Sequence, residues 1–368
     1  MRILFTYLAA FANTGGIQKF NRAFMKAGTE IWGEDFHARS AHDTRVDTEF
    51  MAAERFEGFN YKRLPFMWAS FKAARKSDIL VIGHIKLAPL GLLLSLLFPR
   101  KKSVLIVHGI EVWRPLNKIA LRFLNRVGEI WSVSDFTRQD MVQRHGIDAD
   151  RIRIFTNTLD PFFSIPQSFG KPEYLQERYG LGPENKVIFS LARLSSTEKF
   201  KGYDQVIQGL PKLLEKNPHL RFVLGGKADA TEKARLEAMM QENGVENEVM
   251  LAGFIPDEEI VDHYLLADVF TLPSKKEGFG IVFIEAMACG VPVIAGNKDG
   301  SVEALRHGEL GTLIDPDNLE ELVEALHHQL NDSPVEEEQR AYAIQRAVIK
   351  YFGFDAFKNS LLIRLNAL

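Results

Sequence analysis

The sequence predicts an α/β protein that contains two open, mostly parallel β-sheets. Short apolar runs alternate with helical patterns along almost the whole chain, and the alternation starts afresh after an irregular stretch from Asp160 to Pro172. Alternating strands and helices favour a parallel sheet with helices on both faces. Because 368 residues are too many for one ordinary core, the renewed pattern indicates a second domain.

The first apolar run, Arg2–Leu8, allows two interpretations. With the Ala-Phe-Ala of residues 10–12 it is compatible with a signal peptide. It also fits a buried strand that leads through Gly15-Gly16 into a helix. We favour the strand, because the leading segment carries one charged residue and the βα pattern continues without a break.

Further elements of the first half are predicted from apolar runs and helical periodicity. The predicted strands are Ile79–Gly83, Val104–His108, Ile130–Val133 and Arg153–Phe155, with weaker candidates near Phe36–Ser40 and Tyr61–Leu64. The predicted helices are Gly16–Trp32, Leu116–Val127 and Phe136–His145, and Leu87–Phe98 is predicted as a buried crossover helix. This last run is too short for a bilayer, which needs about 20 apolar residues.

The second half repeats the plan. Its predicted strands are Val187–Ala192, Arg221–Leu224, Val249–Ala252, Val269–Leu272, Pro292–Ala295 and Gly311–Ile314. Its predicted helices are Tyr203–Glu215, Thr231–Asn243, Asp257–Leu266, Gly280–Cys289, Val302–His307 and Leu319–Leu330, and the chain is helical from Val335 with a break at Gly353. We predict an N-terminal domain (1–165), a C-terminal domain (166–345) and a final helix (346–368) that could cross back to the N-terminal domain.

Composition excludes several classes of function. With 46% hydrophobic and 25% charged residues and a net charge of −3, the chain is typical of soluble globular proteins and has no overall attraction for nucleic acid. The single cysteine, Cys289, fits a reducing compartment, and we predict a cytoplasmic protein. The absence of GxGxxG after the first strand and of a P-loop argues against a dinucleotide dehydrogenase and a P-loop NTPase. The histidines and the pairs Asp148/Asp150 and Asp315/Asp317 do not predict a metal site.

One stretch, EGFGIVFIE from Glu277 to Glu285, has the properties of a ligand site. Its helix is apolar except for Glu285, and a buried carboxylate must find a partner or a ligand. Gly278 and Gly280 precede the helix and leave its first N–H groups open to a phosphate. The alternative is a core helix in which Glu285 pairs with a structural arginine or lysine.

Other candidate residues follow the ends of predicted strands. Arg193 and Lys201 follow one strand of the second half and suit two adjacent phosphates, although Lys199 between them is better explained as a solvated residue. Gly16 opens the first predicted helix, where backbone can approach a phosphate, but a simple turn explains it nearly as well. His108 ends an apolar strand in VLIVHG, and it could be a ligand or a core histidine.

Together these motifs resemble the retaining glycosyltransferases of family four. The shared motifs are Gly15-Gly16, VHG, LARL…KFKGYD, LAGFIPDEE, LADVFTLPS, EGFG…E and ACGVPVIAG. The resemblance covers the whole chain and is most specific from Val187 to Pro316, where Glu277 and Glu285 match the family's E-x7-E motif. It implies the GT-B fold, an α/β architecture of two Rossmann-like domains that face each other across a cleft.

The resemblance also implies roles for individual residues. The implied catalytic residues are His108, Glu277, Arg193 and Lys201, and the implied donor-binding residues are Gly16, Arg193, Lys201, Phe254, Gly280, Ile281 and Glu285. In such a site, Arg193 and Lys201 neutralise the donor diphosphate and Glu285 holds the ribose. The family's Asn-Gly-x-Asp loop appears here without its glycine, as Asn157-Thr158-Leu159-Asp160, so no role is assigned to it.

The implied function is retaining, metal-independent transfer of a hexose from a nucleotide sugar, with no cofactor. The expected acceptor is a glycan or a polyprenol- or other lipid-linked sugar, in polysaccharide or glycolipid synthesis. The alternatives are a sugar-nucleotide epimerase and a non-catalytic binding protein of the same fold. A basic stripe at four-residue spacing, Arg114, Lys118, Arg122 and Arg126, is either a solvated helix face or a peripheral contact with an anionic membrane.

Overall fold

The computed structural model describes residues 1–331 and 334–368. The chain forms two compact units, which we call unit 1 (residues 1–163 and 352–368) and unit 2 (residues 164–351). The units change after Phe163 and after Tyr351, whereas the sequence predicted boundaries at 165 and 345. The second difference arises because one helix continues through residue 345 as far as Phe352.

Each unit contains one sheet in which all neighbouring strands are parallel. The strands of unit 1 are β1 (Ile3–Tyr7), β2 (Phe36–Ser40), β3 (Phe56–Gly58), β4 (Ile79–Ile82), β5 (Lys102–Val107), β6 (Glu129–Ser132) and β7 (Ile152–Ile154). The strands of unit 2 are β8 (Lys186–Leu191), β9 (Leu220–Gly225), β10 (Val249–Gly253), β11 (Val269–Leu272), β12 (Val293–Gly296) and β13 (Thr312–Ile314).

Helices connect the strands. The first seven are α1 (Gly16–Trp32), α2 (Arg63–Lys76), α3 (Ala88–Leu97), α4 (Lys118–Arg126), α5 (Asp135–His145), α6 (Glu173–Tyr179) and α7 (Tyr203–Leu214). The others are α8 (Ala230–Asn243), α9 (Ile260–Leu266), α10 (Ile281–Ala288), α11 (Ser301–Ala304), α12 (Leu319–Leu330), α13 (Pro334–Phe352) and α14 (Phe354–Ala367). Short 3-10 turns, such as Lys199–Lys201, complete several connections.

Both sheets reverse their strand order at one point. The order is β3-β2-β1-β4-β5-β6-β7 in unit 1 and β10-β9-β8-β11-β12-β13 in unit 2. The chain therefore leaves β1 and β4, and likewise β8 and β11, in opposite directions. Ligands of doubly wound sheets bind beside the carboxyl ends of such strands, because the diverging connections leave a crevice there.

The predicted α/β class, with two parallel sheets, is confirmed. β1 lies between β2 and β4 and its five side chains are buried, as the strand interpretation of the first apolar run requires. The last helix, α14, belongs to unit 1, where Lys358 donates to Glu30 Oε2 over 2.8 Å and the Phe357 ring lies 5.7 Å from that of Phe20.

One predicted strand, Tyr61–Leu64, is wrong. Asn60 and Tyr61 have φ angles of 42° and 64°, which form a turn, and α2 begins two residues later at Arg63. The edge strand lies earlier, at Phe56–Gly58. Two helices of the structure were not predicted from the sequence, α2 and the short helix α6.

None of the helices in the described part of the chain is long and apolar enough to span a bilayer. α3 corresponds to the predicted crossover helix: it has ten residues, with Leu90 and Leu94 buried against the sheet.

Candidate active site

Lys201 and Glu277 meet at the point in unit 2 where the strand order reverses. Lys201 lies in the loop between β8 and α7, and Glu277 lies in the loop after the neighbouring strand β11. The Lys201 Nζ donates to Glu277 Oε2 over 2.7 Å, and both side chains are partly buried. The structure therefore joins a residue predicted to neutralise the diphosphate, Lys201, to another predicted catalytic residue, Glu277.

Arg193 belongs to the same loop as Lys201, but it pairs with another acid. Its side chain is 74% exposed, and its guanidinium contacts the Glu198 carboxylate within the loop. An exposed arginine paired with an acid of its own loop can exchange that partner for another anion at little cost. Arg193 can thus turn to a ligand, whereas Lys201 must first leave Glu277.

The start of α10 has the geometry expected of a phosphate site. Gly280 precedes Ile281 with φ 89°, and a Cβ atom on Gly280 would lie 2.3 Å from the Phe283 ring, so only glycine fits. N–H groups in the first turn of a helix lack intrahelical acceptors. The described first turn of α10 contains no acidic residue that would compete with an anion.

Asp299 and Gly300 clamp the backbone of Glu277. The Glu277 N–H donates to Asp299 Oδ2 over 2.7 Å, and the Gly300 N–H donates to the Glu277 carbonyl over 2.8 Å. A second N–H, that of Ser301, donates to Asp299 Oδ1 over 2.9 Å. Residue 300 must be glycine, because a Cβ atom would lie 2.1 Å from the Gly278 carbonyl oxygen. The loop after β12 thus positions Glu277.

Asp299 is fully buried, and its electrostatic environment is unusual. Burial raises the pKa of its carboxyl to about 7, and the negative charge of Glu277 acts in the same direction. Sequence reasoning did not identify Asp299. The available signal was its place in the loop directly after a predicted strand, the part of an α/β domain where ligand-binding residues collect.

Glu285 is buried on α10 and its carboxylate has a partner that the sequence did not predict. The hydroxyl of Tyr264, on α9, donates to Glu285 Oε2 over 3.0 Å. Burial, with the charge of Glu285, raises the pKa of Tyr264 well above its usual range, so the phenol stays a donor. One partner of the Glu285 carboxylate is therefore a neutral phenol.

Phe254 follows the edge strand β10 of unit 2. Its side chain is 64% exposed. It lies at the carboxyl edge of the same sheet as Lys201 and Glu277. An exposed ring at this edge can stack on a nucleotide base or a sugar.

In unit 1, Asp43 holds the loop that leads from β1 to Gly16. The Asp43 carboxylate accepts the backbone N–H groups of Ala10, Phe11 and Ala12 over 2.7 to 3.0 Å, and it also accepts the Ser40 hydroxyl. Gly16, exposed at the first position of α1, follows this loop. The sequence reading found Gly16 but not the buried acid that fixes its loop.

His108 directly follows β5 and is buried. Its Nε2–H donates to the Gly83 carbonyl over 3.0 Å, so Nδ1 is the unprotonated nitrogen of the neutral ring. Burial lowers the pKa of His108, which keeps the ring neutral at pH 7. The edge of the ring packs against Phe20, with 5.0 Å between the ring centroids.

A second histidine, His84, lies beside His108. The two ring centroids are 6.1 Å apart, and burial lowers the pKa of His84 to about 3. Its Nδ1 accepts the Lys86 N–H over 2.9 Å. His84 comes two residues after β4 and His108 comes directly after β5, so the pattern VIGH, like VLIVHG, was an available signal for a histidine at a strand end.

Among residues 1–331 and 334–368, no three or more His, Cys, Asp or Glu side chains are grouped to hold a metal ion. Asp148 and Asp315 have the predicted turn role, since each accepts the N–H of the residue two positions on, over 3.0 and 2.9 Å. The loop at residues 157–160 is structural as well: the Thr158 hydroxyl donates to the Phe352 carbonyl over 2.9 Å. Metal independence stays a prediction.

Two family profiles match the chain. The profile described as "Glycosyl transferases group 1" matches residues 173–347, and the profile described as "Glycosyltransferase Family 4" matches residues 32–161. The first match contains the Lys201–Glu277 pair, Asp299 and α10. The second contains Asp43, His84 and His108.

Two similar proteins carry the same name, GDP-mannose-dependent alpha-(1-6)-phosphatidylinositol monomannoside mannosyltransferase. The protein from Mycolicibacterium smegmatis is 32% identical over 348 residues, which are 86% of each chain. The protein from Mycobacterium tuberculosis is 29% identical over 353 residues, again 86% of each chain.

The structure is similar to that of the Anabaena protein Alr3699/HepE, solved in complex with UDP. The alignment covers all of both chains with a TM-score of 0.80 and 21% sequence identity. A likeness at this identity shows the fold, and it confirms the predicted GT-B fold class, with one parallel sheet in each of two α/β units.

Proposed function

Because the chain belongs to the family-four glycosyltransferases, we propose that it moves a hexose from a nucleoside-diphosphate sugar to a lipid-linked or glycan acceptor, with retention. That it is a glycosyltransferase enzyme follows from the family. The epimerase and the non-catalytic binding protein are therefore set aside. The donor, the acceptor and the stereochemistry form the proposal.

The Lys201–Glu277 pair carries the proposal. In this pair a cation is held 2.7 Å from a carboxylate, beside the first turn of α10. A diphosphate at that helix start offers Lys201 a doubly charged partner in place of Glu277. Once Lys201 turns to the phosphate, the Glu277 carboxylate can accept a hydrogen bond from a sugar hydroxyl.

In the proposed reaction, the bond between the anomeric carbon and the diphosphate oxygen breaks, and its electron pair stays on the diphosphate. The acceptor hydroxyl bonds to the anomeric carbon on the same face and gives its proton to a diphosphate oxygen. Lys201, Arg193 and the N–H groups of Gly280 and Ile281 stabilise the charge that develops on the leaving group. These groups would act without a metal ion or a cofactor.

The remaining donor contacts are proposed from their places in each unit. Glu285 is assigned to the ribose, Phe254 to stacking on the base, and His108 to a hydroxyl of the transferred sugar. Gly16 is assigned to backbone contact with the diphosphate. The Tyr264 hydroxyl, which donates to Glu285 Oε2, would orient the carboxylate in this role.

We propose GDP-mannose as the donor. The mycolicibacterial relative, named for GDP-mannose and for a phosphatidylinositol mannoside, supports both this donor and a lipid-linked acceptor. The Anabaena protein was solved with UDP, but that likeness concerns the fold. Guanine and uracil nucleotides are therefore the two donor series that an experiment should compare.

A thermal-shift comparison tests the donor. A ligand at about 100 times its dissociation constant stabilises the folded protein by about 2.7 kcal/mol. We expect GDP and GDP-mannose to raise the melting temperature more than UDP and UDP-glucose at equal concentration. Equal or larger shifts with the uridine series would overturn the choice of GDP-mannose, and no shift with any of the four would overturn the donor site.

Acceptor dependence tests the transfer itself. Release of GDP from GDP-mannose should become faster when a lipid-linked mannoside is added, because water is then replaced by a bound hydroxyl. A matched reaction with the unglycosylated lipid is the control. Unchanged release with every lipid-linked or glycan acceptor tried would contradict the proposed acceptor class.

Peripheral membrane contact is part of the same proposal, since a lipid-linked acceptor lies at a membrane. The residues of the basic stripe, Arg114, Lys118, Arg122 and Arg126, are all exposed, and the last three lie four residues apart on α4. Their spacing gives one positive face, and anionic lipid attracts such a face. Flotation with anionic vesicles at low salt should recover the protein, and a variant with Arg122→Ala and Arg126→Ala should float less.

A further inference from the structure

Glu198, in the loop between β8 and α7, contacts both cations that were predicted for the diphosphate. Its carboxylate contacts the Arg193 guanidinium, and its backbone carbonyl accepts the Lys201 N–H over 3.2 Å. The proposed reaction gives Glu198 no role. Because charges at contact distance act on each other strongly, an acid in this place must affect how firmly the site holds an anion.

Hydrogen bonds other than the Glu198 ion pair hold the backbone of this loop. Asp229 Oδ2 accepts the Ser196 N–H over 3.1 Å, two positions before Glu198. The Phe200 carbonyl, two positions after it, accepts the Lys275 N–H over 2.9 Å. Both bonds join the loop to other segments of unit 2, and neither involves the Glu198 carboxylate. The ion pair can therefore exchange its partners while the loop keeps its shape.

The two partners of the ion pair differ in exposure. The side chain of Glu198 is 18% exposed, whereas that of Arg193 is 74% exposed. The glutamate thus lies against the protein, and the arginine contacts it from the solvent side. Ion pairs with an exposed member are weak, because water competes for the charge and a long side chain loses freedom. We therefore expect an anion to displace the carboxylate by moving Arg193, while Glu198 stays close to it.

The anion that leaves the proposed site is more highly charged than the one that arrives. Both phosphates of the donor are esterified, whereas the released nucleoside diphosphate has a free terminal phosphate and carries more negative charge. Arg193, Lys201 and the start of α10 would consequently hold the product more firmly than the donor. Since release of product limits turnover in many enzymes, an acid that competes for one of these cations would increase the rate of the cycle.

We propose that Glu198 competes with the nucleoside diphosphate for Arg193 and so speeds release of the product. The donor displaces the carboxylate from Arg193, and after transfer the carboxylate binds the guanidinium again as the diphosphate leaves. Glu277 does not have this task, since it pairs with the other cation, Lys201. The inference rests on the proposed function and adds to it a residue that sets the affinity of the donor site for phosphates.

Calorimetric titration of the full chain with guanosine, GMP and GDP tests the competition. Glu198→Gln keeps the size of the side chain and removes its charge. We expect this variant to bind GDP about two- to fivefold more tightly, the range that corresponds to the strength of one exposed ion pair. The gain should be smaller for GMP and absent for guanosine, because only phosphates use Arg193. A glutamate that merely supports the loop would have the opposite effect, since its loss would weaken binding.

Two further variants make the test specific to the Arg193–Glu198 pair. In a chain that already carries Arg193→Ala, Glu198→Gln should give no gain, since the competition needs both partners. The matched control is Glu309→Gln, because Glu309 accepts from Arg306 Nε over 2.9 Å in the same unit. This pair lies in the connection that enters the amino end of β13, at the other edge of the sheet. The control should bind all three ligands as the original protein does.

Product inhibition connects the binding result to release. The constant for inhibition of transfer by GDP should fall in Glu198→Gln by the same two- to fivefold factor, about that of one exposed ion pair. An inhibition constant equal to that of the original protein would overturn the role in release.

Failure of this inference can be told apart from failure of the proposed function. If GDP binds but Glu198→Gln does not bind it more tightly, or gains as much without Arg193, the role of Glu198 is wrong while the donor site stands. If the variant gains affinity for GDP but no sugar is transferred from GDP-mannose, the competition stands and the proposed transfer does not. If uridine nucleotides bind in place of guanosine nucleotides, the same comparison with uridine, UMP and UDP decides the role of Glu198. If neither series binds, the donor site and the role of Glu198 are both wrong.

Discussion

Each unit uses a buried aspartate to hold the loop after a neighbouring strand, but the two lie on opposite sides of the point where the strand order reverses: Asp43 follows β2, beside β1, and Asp299 follows β12, beside β11. In unit 1, Asp43 receives three backbone N–H groups and one hydroxyl, and so fixes the loop after β1. In unit 2, Asp299 receives two backbone N–H groups, one of them from Glu277, whose side chain is paired with Lys201. The first loop is held by hydrogen bonds from its backbone to the Asp43 carboxylate. In the second, the backbone bond of Asp299 is joined to a charged pair that a ligand can replace.

This difference suggests separate tasks for the two loops beside the points where the strand order reverses. A loop fixed by hydrogen bonds presents its own backbone to a ligand, and Gly16 at the start of α1 offers such a backbone. A loop that carries charges can respond to the ligand. Burial raises the pKa of Asp299 to about 7, and the negative charge of Glu277 adds to this shift, so the protonation of Asp299 responds to what the Glu277 carboxylate contacts.

The largest expected effect comes from removing the charge of the unit 2 loop. Lys201→Ala should lower the rate of transfer roughly 100- to 1000-fold, the range seen when one group that stabilises a developing charge is removed. The measurement is the turnover number with saturating donor. Lys199→Ala, an exposed lysine in the same loop, is the control and should change little. Near-normal turnover of Lys201→Ala would contradict the assignment of Lys201 to the diphosphate. It would also contradict the inference that the unit 2 loop acts through its charges.

The next effect tests the unit 1 loop. Asp43→Ala leaves three backbone N–H groups of residues 10–12 without their acceptor, and each such loss costs about 1 kcal/mol or more. The free energy of unfolding, from urea titration, should fall by about 3 kcal/mol. Asp43→Asn keeps one carbonyl acceptor and should lose less. If both substitutions lowered turnover in the folded enzyme as strongly as Lys201→Ala, the negative charge of Asp43 would be needed for turnover, and its hydrogen bonds to the loop would not explain its role.

Measuring the free energy of unfolding as a function of pH tests the protonation of Asp299. The folded pKa of Asp299, about 7, is above the value near 4 of an unfolded aspartate. The folded protein therefore binds an extra proton between these values, and its stability falls as the pH rises through that window. The free energy of unfolding should be lower by about 2 kcal/mol at about pH 7 than at about pH 5 from this group.

Asp299→Asn cannot titrate and is the matched control. It keeps one carbonyl acceptor for the two backbone N–H groups, so its free energy of unfolding should be lower by about 1 kcal/mol or more at acid pH. The contribution of Asp299 to the pH dependence should vanish in this variant. An unchanged slope in the variant would show that Asp299 does not titrate there. The inference that the protonation of Asp299 responds to the charge of Glu277 would then be wrong.

Most of the fold could be predicted from the sequence, because buried parallel strands consist of continuous apolar runs. Three elements were predicted with the bounds that the structure has, namely Phe36–Ser40, Gly16–Trp32 and Val269–Leu272. α2 was not identified, since its apolar residues are partly exposed and do not form one clean face; Leu64 and Trp68 are examples. The turn at Asn60 and Tyr61 depends on backbone angles that their residue types do not demand.

The site was predictable where it depends on spacing and not where it depends on tertiary contacts. Glu277 and Glu285 are eight residues apart in one segment, so a local pattern was enough to find them. Asp299 meets Glu277 across 22 positions of the chain, and Asp43 meets Ala12 across 31. Each of these bonds joins a side chain to a backbone N–H. Every residue except proline has such a group, so the residue types in the sequence do not predict these bonds.

The smallest expected effect concerns the buried pair Tyr264–Glu285, next to the charged loop of unit 2. Tyr264→Phe removes the phenol that donates to Glu285 Oε2 and should lower the free energy of unfolding by about 1 to 2 kcal/mol. Tyr203→Phe is a matched control, since Tyr203 donates to the buried Glu232 over 2.6 Å in the same unit. If Glu285 holds the ribose, Tyr264→Phe should also change GDP affinity while Tyr203→Phe does not. Calorimetric titration with GDP that gives the same affinity for both variants, and for Glu285→Gln, would make α10 a core helix whose glutamate has a structural role.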